Sequence, residues 1–108
     1  MSEKIFTDDN FKQEVLGSKD VVLVDFFAEW CGPCRAMEPT ISELAQDYLN
    51  KGVVIGKLNV DQNQQTPAEY QVMSIPNLIL FKNGQVQKQL IGLQEKAVLK
   101  AEIDKLLS

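Results

Sequence analysis

The sequence has no histidine, one tryptophan and only two cysteines in 108 residues. With no histidine and no further cysteine, two thiolates cannot complete a tetrahedral zinc shell within one chain. A metal could enter only as a bridge between chains, and nothing in the sequence supports that. No long apolar run is present, which argues against a membrane-spanning helix. There is also no basic block, and with a net charge of −4 the chain offers nothing to nucleic acid. Mild acidity of this kind fits plain solubility. The start, Met1-Ser2-Glu3-Lys4, lacks a charged-then-apolar leader, and the end, Lys105-Leu106-Leu107-Ser108, matches no retention or lipidation signal. The expectation is a cytoplasmic protein in a reducing compartment. No repeat, linker or low-complexity segment divides the chain, so residues 1–108 should form one domain.

What the sequence does have is concentrated in Trp30-Cys31-Gly32-Pro33-Cys34, which holds both cysteines. The spacing is wrong for a structural staple. Loop-closure entropy gives roughly 2 kcal/mol for so short a loop, before strain is subtracted. A chain of this length can bury its own core without that help. Chemistry explains the pair better than stability does.

Around this stretch the chain reads as alternating strands and helices. Lys4-Ile5-Phe6 suits a short strand, and Thr7-Asp8-Asp9 offers N-caps for a helix carrying Phe11 and Val15, stopped by Gly17-Ser18. Val21 to Ala28 is β-branched and aromatic on both faces, as in a fully buried central strand, except for Asp25. A helix should run from near Cys31 to Asn50, with Met37, Ile41, Leu44, Ala45, Tyr48 and Leu49 on one stripe, a kink at Pro39 and a stop at Lys51-Gly52. Val53 to Val60 is a second apolar strand, interrupted by Lys57. Thr66-Pro67-Ala68-Glu69 reads as a capping box opening a short helix that ends about Tyr70. Leu78 to Lys82 and Gln85 to Ile91 flank Asn83-Gly84, a two-residue hairpin signal, and Gly92 breaks the last strand. From about Gln94, the spacing of Leu99, Ile103 and Leu106 makes a final amphipathic helix.

This order predicts an α/β protein with helices on both faces of a mixed sheet. The first three strands should run parallel through right-handed crossovers, and the hairpin should add antiparallel pairing. Sites in such sheets form beyond the carboxyl ends of the strands, where Cys31 and Cys34 fall.

A Cys-x-x-Cys pair at a strand-to-helix junction in a βαβ setting is a mark of thioredoxin-like redox sites. The run Val24-Asp25-Phe26-Phe27-Ala28-Glu29-Trp30-Cys31-Gly32-Pro33-Cys34 resembles the thioredoxin family closely. So do Pro39, Lys57, Asp61-Gln62-Asn63, Ile75-Pro76, Phe81-Lys82-Asn83-Gly84 and Gly92, in order along the chain. The resemblance implies a five-stranded mixed sheet flanked by four helices, and reduction of disulfides in other proteins. Two positions depart from the family pattern. Phe27 stands where a second tryptophan is usual, and Asn77 follows the proline where threonine is common. The first is expected to alter packing behind the site; the second is expected to border the substrate surface.

The thiolate, not the thiol, attacks a disulfide. Cys31 is expected at a helix N-terminus, where unpaired N–H groups and the dipole favour an anion by up to ~2 kcal/mol. At ~1.4 kcal/mol per pKa unit, a thiol starting near ~8.5 moves toward neutrality, the range that thioredoxins themselves exemplify. Cys34, one turn further in, should be more buried and should resolve the mixed disulfide formed on Cys31, closing a Cys31–Cys34 disulfide. Asp25 is read in two ways: a strand-edge or ion-paired carboxylate, or a buried acid whose raised pKa lets it accept and return a proton. The resemblance favours the second and places Asp25 behind Cys34 as its base. Lys57 is likewise either its counter-charge or a surface lysine. An X–Pro bond is cis in only about one case in twenty, but the resemblance implies a cis Ile75–Pro76 bond facing the cysteines. There Ile75 would pair with an extended substrate segment, on an apolar rim of Trp30, Gly32, Pro33, Ile75, Pro76, Ile91 and Gly92. Simple core is the other reading of Ile91.

The leading function is therefore a general protein-disulfide reductase, a monomer with no bound cofactor, recharged by a separate thioredoxin reductase from NADPH or ferredoxin. Its expected targets include ribonucleotide reductase, peroxiredoxin and methionine sulfoxide reductase. One alternative is a disulfide oxidase or isomerase, a class that tends to carry histidine between its cysteines; this chain has none. Another is a binding subunit that stabilises a partner irrespective of redox state.

Overall fold

The apolar run that begins at Val21 forms the central strand of the sheet. In the computed structural model, which describes residues 2–108, this is β2 (Val21–Phe27). Met1, counted in the expected domain, lies outside the described residues. The five strands are β1 (Lys4–Phe6), β2, β3 (Val53–Asn59), β4 (Asn77–Lys82) and β5 (Gln85–Ile91), in the spatial order β1-β3-β2-β4-β5. β3 runs parallel to both β1 and β2, while β4 is antiparallel to β2 and to β5. The parallel core and antiparallel hairpin are as the sequence predicts.

Alternation along β2 sends its side chains into two cores. Val21 and Leu23 pack with Met37, Ile41 and Leu44 of α1 (Gly32–Asp47) and with Leu99 and Ile103 of α3 (Lys96–Leu107). Val22, Val24 and Phe26 join Phe11, Val15 and Phe81 on the opposite face. The same alternation puts Asp25 on the face of Val21 and Leu23, under α1. The helix covers that face, and Asp25 is buried beneath it.

Strand direction then decides where the site lies. β2 and β3 are parallel, so Phe27 and Asn59, paired in register, share one edge of the sheet. β4 runs the other way and enters at that edge, with Asn77 opposite Phe26 on one side and Ile91 on the other. The segments 28–31, 60–64, 75–76 and 92–93 therefore leave or enter the sheet at one end. At the far end, Asn83 and Gly84 turn the hairpin with φ of 53° and 74°, the left-handed pair that a two-residue turn requires.

Several local expectations are corrected. The first helical segment, Lys12–Leu16, is π-type, closed by the Gly17 N–H donating to the Lys12 carbonyl at 2.9 Å. Its N-cap is Phe11 and not Thr7, Asp8 or Asp9; Thr7 instead closes the turn before it, the Thr7 N–H donating to Asn10 Oδ1 (2.8 Å) and the Asn10 N–H to Thr7 Oγ1 (3.1 Å). α1 continues through Pro39 but ends at Asp47, short of Asn50, so Leu49 falls outside the buried stripe and is exposed. Thr66 is not the N-cap of α2 (Gln65–Glu69) but lies inside it, and the capping group comes from far away in sequence. Asp8 accepts from the Gln65 N–H (3.2 Å), the Thr66 N–H (2.9 Å) and the Thr66 hydroxyl (2.7 Å). A carboxylate there satisfies N-terminal donors and suits the dipole, so the local capping box is not needed.

Candidate active site

Cys31 occupies the N-cap of α1, in extended backbone, with Pro33 in the first turn. Its Sγ accepts from the Cys34 N–H at 3.2 Å, and its own N–H donates to the Ala28 carbonyl at 3.2 Å. The sulfur thus sits where the helix has an unpaired donor, and an anion there gains both a hydrogen bond and the dipole. Cys31 and Cys34 form a disulfide, with Cα atoms 5.2 Å apart, inside the range such bonds span. They are 4% and 1% exposed, the second more enclosed, as expected. Ala28, Phe27, Val60 and Ile75 pack around them.

Asp25 is 2% exposed, and its Oδ1 is buried with no hydrogen-bond partner among the described residues. Burial pushes its carboxyl up to about 7; Lys57 pulls the other way and Glu38 adds to the rise. Lys57 is the register partner of Asp25 across β2 and β3, which places it on the same face of the sheet. It is half-buried and is not a freely solvated surface lysine. Its ammonium lies 5.1 Å from the centroid of the Phe27 ring, a cation–π arrangement in which the ring takes the place of the usual tryptophan.

The rim residues separate into groups. Among the described residues Ile75–Pro76 is the cis bond, and Ile75 packs on the cysteine cluster. The Gly92 N–H donates to the Pro76 carbonyl at 2.8 Å, tying the two loops together, and Gly92 has φ of 89°, where a side chain would be strained. Ile91 is 61% exposed, which removes the core reading. Gly32 and Pro33 are exposed beside the disulfide. Trp30 is 71% exposed, yet its indole N–H donates to Asp61 Oδ2 at 2.8 Å, which fixes the ring. Asn77, next to the cis proline, is buried, and its Oδ1 accepts from Gln89 Nε2 at 3.0 Å, which braces β5.

Three residues near the site have no role in the sequence reading. Asp61 had a detectable signal, since the parallel pairing of β2 and β3 brings the residues after Phe27 beside those after Asn59. Met73 and Leu93 are exposed apolar side chains flanking Ile75 and Gly92. They carried no signal, because isolated apolar residues in loops are ordinary.

Comparison with known proteins decides the family. The thioredoxin family profile matches residues 2–105. A thioredoxin of Alicyclobacillus acidocaldarius is 53% identical over 97 residues, 90% of each chain. One from Pseudomonas aeruginosa is 47% identical over 106 residues, 96% of this chain and 97% of the other. The chain belongs to the thioredoxin family. A further relative, thioredoxin 2 of Chlorobaculum tepidum, is 46% identical over 106 residues, 96% of each chain. The five-stranded mixed sheet with helices on both faces is the thioredoxin fold. The protein is a thiol-disulfide oxidoreductase that reduces protein disulfides by dithiol–disulfide exchange. Thioredoxins use a redox disulfide and no prosthetic cofactor; in general their partners are a reductase and disulfide-bearing proteins. No helix among the described residues is long and apolar enough to cross a membrane.

Proposed function

We propose that Cys31 is the attacking cysteine and Cys34 the resolving one, with Asp25 as proton acceptor and donor. The observation that carries this is the position of the Cys31 sulfur at the N-cap, accepting the Cys34 N–H. In the reduced protein the Cys31 thiolate bonds to one sulfur of a target disulfide, and the other target sulfur leaves as a thiolate. The Cys34 thiol gives its proton to Asp25 and attacks the Cys31 sulfur. The Cys31–Cys34 disulfide forms, and the second target thiolate leaves. Two electrons have passed to the target, and Asp25 returns its proton to a departing thiolate.

The placement of Asp25 under the first turns of α1, on the face shared with Met37, supports its service to Cys34. Lys57 moderates its charge. Trp30, Gly32, Pro33, Ile75, Pro76, Ile91 and Gly92 form the substrate rim, on which Ile75 pairs with an extended target segment. Met73 and Leu93 widen that rim. Residues 1–108 act as a single domain and as a cytoplasmic monomer. A thioredoxin reductase recharges it from NADPH or ferredoxin, and ribonucleotide reductase, peroxiredoxin and methionine sulfoxide reductase are targets.

Alkylation of the reduced protein tests the division of labour. Iodoacetamide at neutral pH is expected to label Cys31 at least tenfold faster than Cys34, because one thiol is largely ionised and the other is enclosed. Peptide mass spectrometry reads the two sites separately, and equal or reversed labelling contradicts the assignment.

A further inference from the structure

At the edge of the sheet where β1, β2 and β3 end, a cavity of about 290 Å³ borders Lys57, the register partner of Asp25. Its walls include Phe27 of β2, Glu38 of α1, Lys57 and Asn59 of β3, and Glu29 from the loop after β2. Glu38 lies one helical turn beyond Cys34, on the helix that covers Asp25. Helical spacing sets it beside the buried stripe of Cys34, Met37 and Ile41, with its own side chain exposed. Lys57 is also shared. Its charge acts on Glu3, which accepts a hydrogen bond from Ser42 Oγ of α1 at 2.6 Å, as well as on Asp25. The charge of one half-buried ammonium therefore reaches two carboxylates, and Glu38 lines the same opening as that ammonium.

We propose that Glu38 is a positioning residue for the exchange reaction: its carboxylate offsets the Lys57 ammonium at this cavity and so sets how readily Asp25 takes and returns its proton. The proposal rests on the reading of Asp25 as the acid–base group. Around Asp25, β3 supplies Lys57 as its register partner, and α1, packed on this face, carries the buried Cys34 and, at the cavity that Lys57 borders, Glu38. β4 supplies the uncharged Leu78, and α3 contributes Leu99 and Ile103, both apolar. Among these groups only Lys57 and Glu38 carry a charge that is not Asp25's own or the thiol's. They act in opposite directions on the ionised carboxylate, in keeping with the opposed effects they have on its titration. A carboxylate in a half-solvated opening is screened, so its effect is smaller than that of burial.

The test is a Glu38→Gln variant of the full chain, in the reduced state. Its Asp25 carboxyl titration is followed by carbon-13 NMR, alongside the pH profile of insulin disulfide reduction. The Asp25 midpoint is expected to fall by a few tenths of a pH unit, about a twofold rise in the ratio of ionised to protonated carboxyl at neutral pH. The rate profile should move down with it. Glu38→Asp should keep most of the wild-type behaviour, and Glu29→Gln, which removes another carboxylate from the same cavity, should leave the midpoint in place. A fixed midpoint in Glu38→Gln, or an equal fall in Glu29→Gln, overturns the role of Glu38 and leaves Asp25 in the mechanism. A midpoint that falls while the rate profile stays still overturns both, because Asp25 then takes no part in the exchange.

Discussion

A Cys34→Ser variant is expected to accumulate target proteins as stable mixed disulfides on Cys31, while its multiple-turnover reduction drops by about a thousandfold or more. A mixed disulfide is a full covalent bond, and release requires a second thiolate in line with it. The pair provides that thiolate at close range: the two Cα atoms are 5.2 Å apart, with no chain movement needed to bridge them. Serine fills the buried Cys34 position with little change in volume, so the fold and the first attack survive. Cys31→Ser removes the sulfur at the N-cap and should trap almost nothing, because Cys34 is enclosed beneath it. Non-reducing gels and mass spectrometry after incubation with a disulfide-bearing target read both variants. Trapping through Cys34, with none through Cys31, contradicts the assignment. Affinity capture on the Cys34→Ser protein would also reveal which targets and which reductase this chain serves.

Asp25→Asn should make the protein more stable and slower. The Asp25 carboxyl has an ordinary value of 3.8 and titrates at about 7 in the folded chain, burial being the dominant cause and Lys57 only a partial offset. Between those values the folded state holds a proton that the unfolded chain has released, so the stability associated with the neutral carboxyl is lost as pH rises. It is fully present below 3.8, declines from there, and is gone above about 7. At ~1.4 kcal/mol for each pH unit, the cost of the buried charge at pH 8 is about 4 kcal/mol. Asparagine cannot ionise and escapes it. Urea denaturation of the oxidised proteins at pH 8 should therefore show the variant ahead by a few kcal/mol, with the gap closing by pH 4. Turnover near pH 7 should fall about tenfold or more, because Cys34 loses its proton acceptor. Equal stability at pH 8 would mean that the carboxyl is not held in its neutral form by burial. Unchanged turnover would remove Asp25 from the mechanism. A carboxylate kept at such a cost, in the middle of an otherwise apolar strand, is a mark of function rather than folding.

Legibility in the sequence followed the range of the interaction concerned. The apolar run of β2 and the Asn83-Gly84 turn are local patterns, and both elements formed where those patterns put them. The Cys31 N-cap was equally local, because the cysteine spacing and Pro33 fall at a strand-to-helix junction. Asp25 stood out because a carboxylate in a buried strand breaks the pattern. What could not be read was whatever crosses the chain. Asp8 caps α2 across 58 residues, so the nearby Thr66 looked like the cap. Asn77 turned inward because Gln89, on the next strand, offered it a donor. The π-type winding of Lys12–Leu16 likewise leaves no trace in side-chain spacing over so few residues. Glu38 carries no signal of its own in the sequence, because its place at the Lys57 opening depends on how α1 packs on the sheet.

The central claim is that electrons leave the Cys31–Cys34 dithiol for other proteins' disulfides. The most direct measurement is equilibration of the protein with glutathione redox buffers at pH 7, with the dithiol and disulfide forms quantified after acid quench. No histidine or other cation lies between the cysteines to stabilise the thiolate further, so the reduced form is not over-stabilised. The account predicts a reduction potential below that of the glutathione couple, with the disulfide persisting in buffers where glutathione is mostly reduced. A potential above glutathione's would make the pair an oxidant and contradict it.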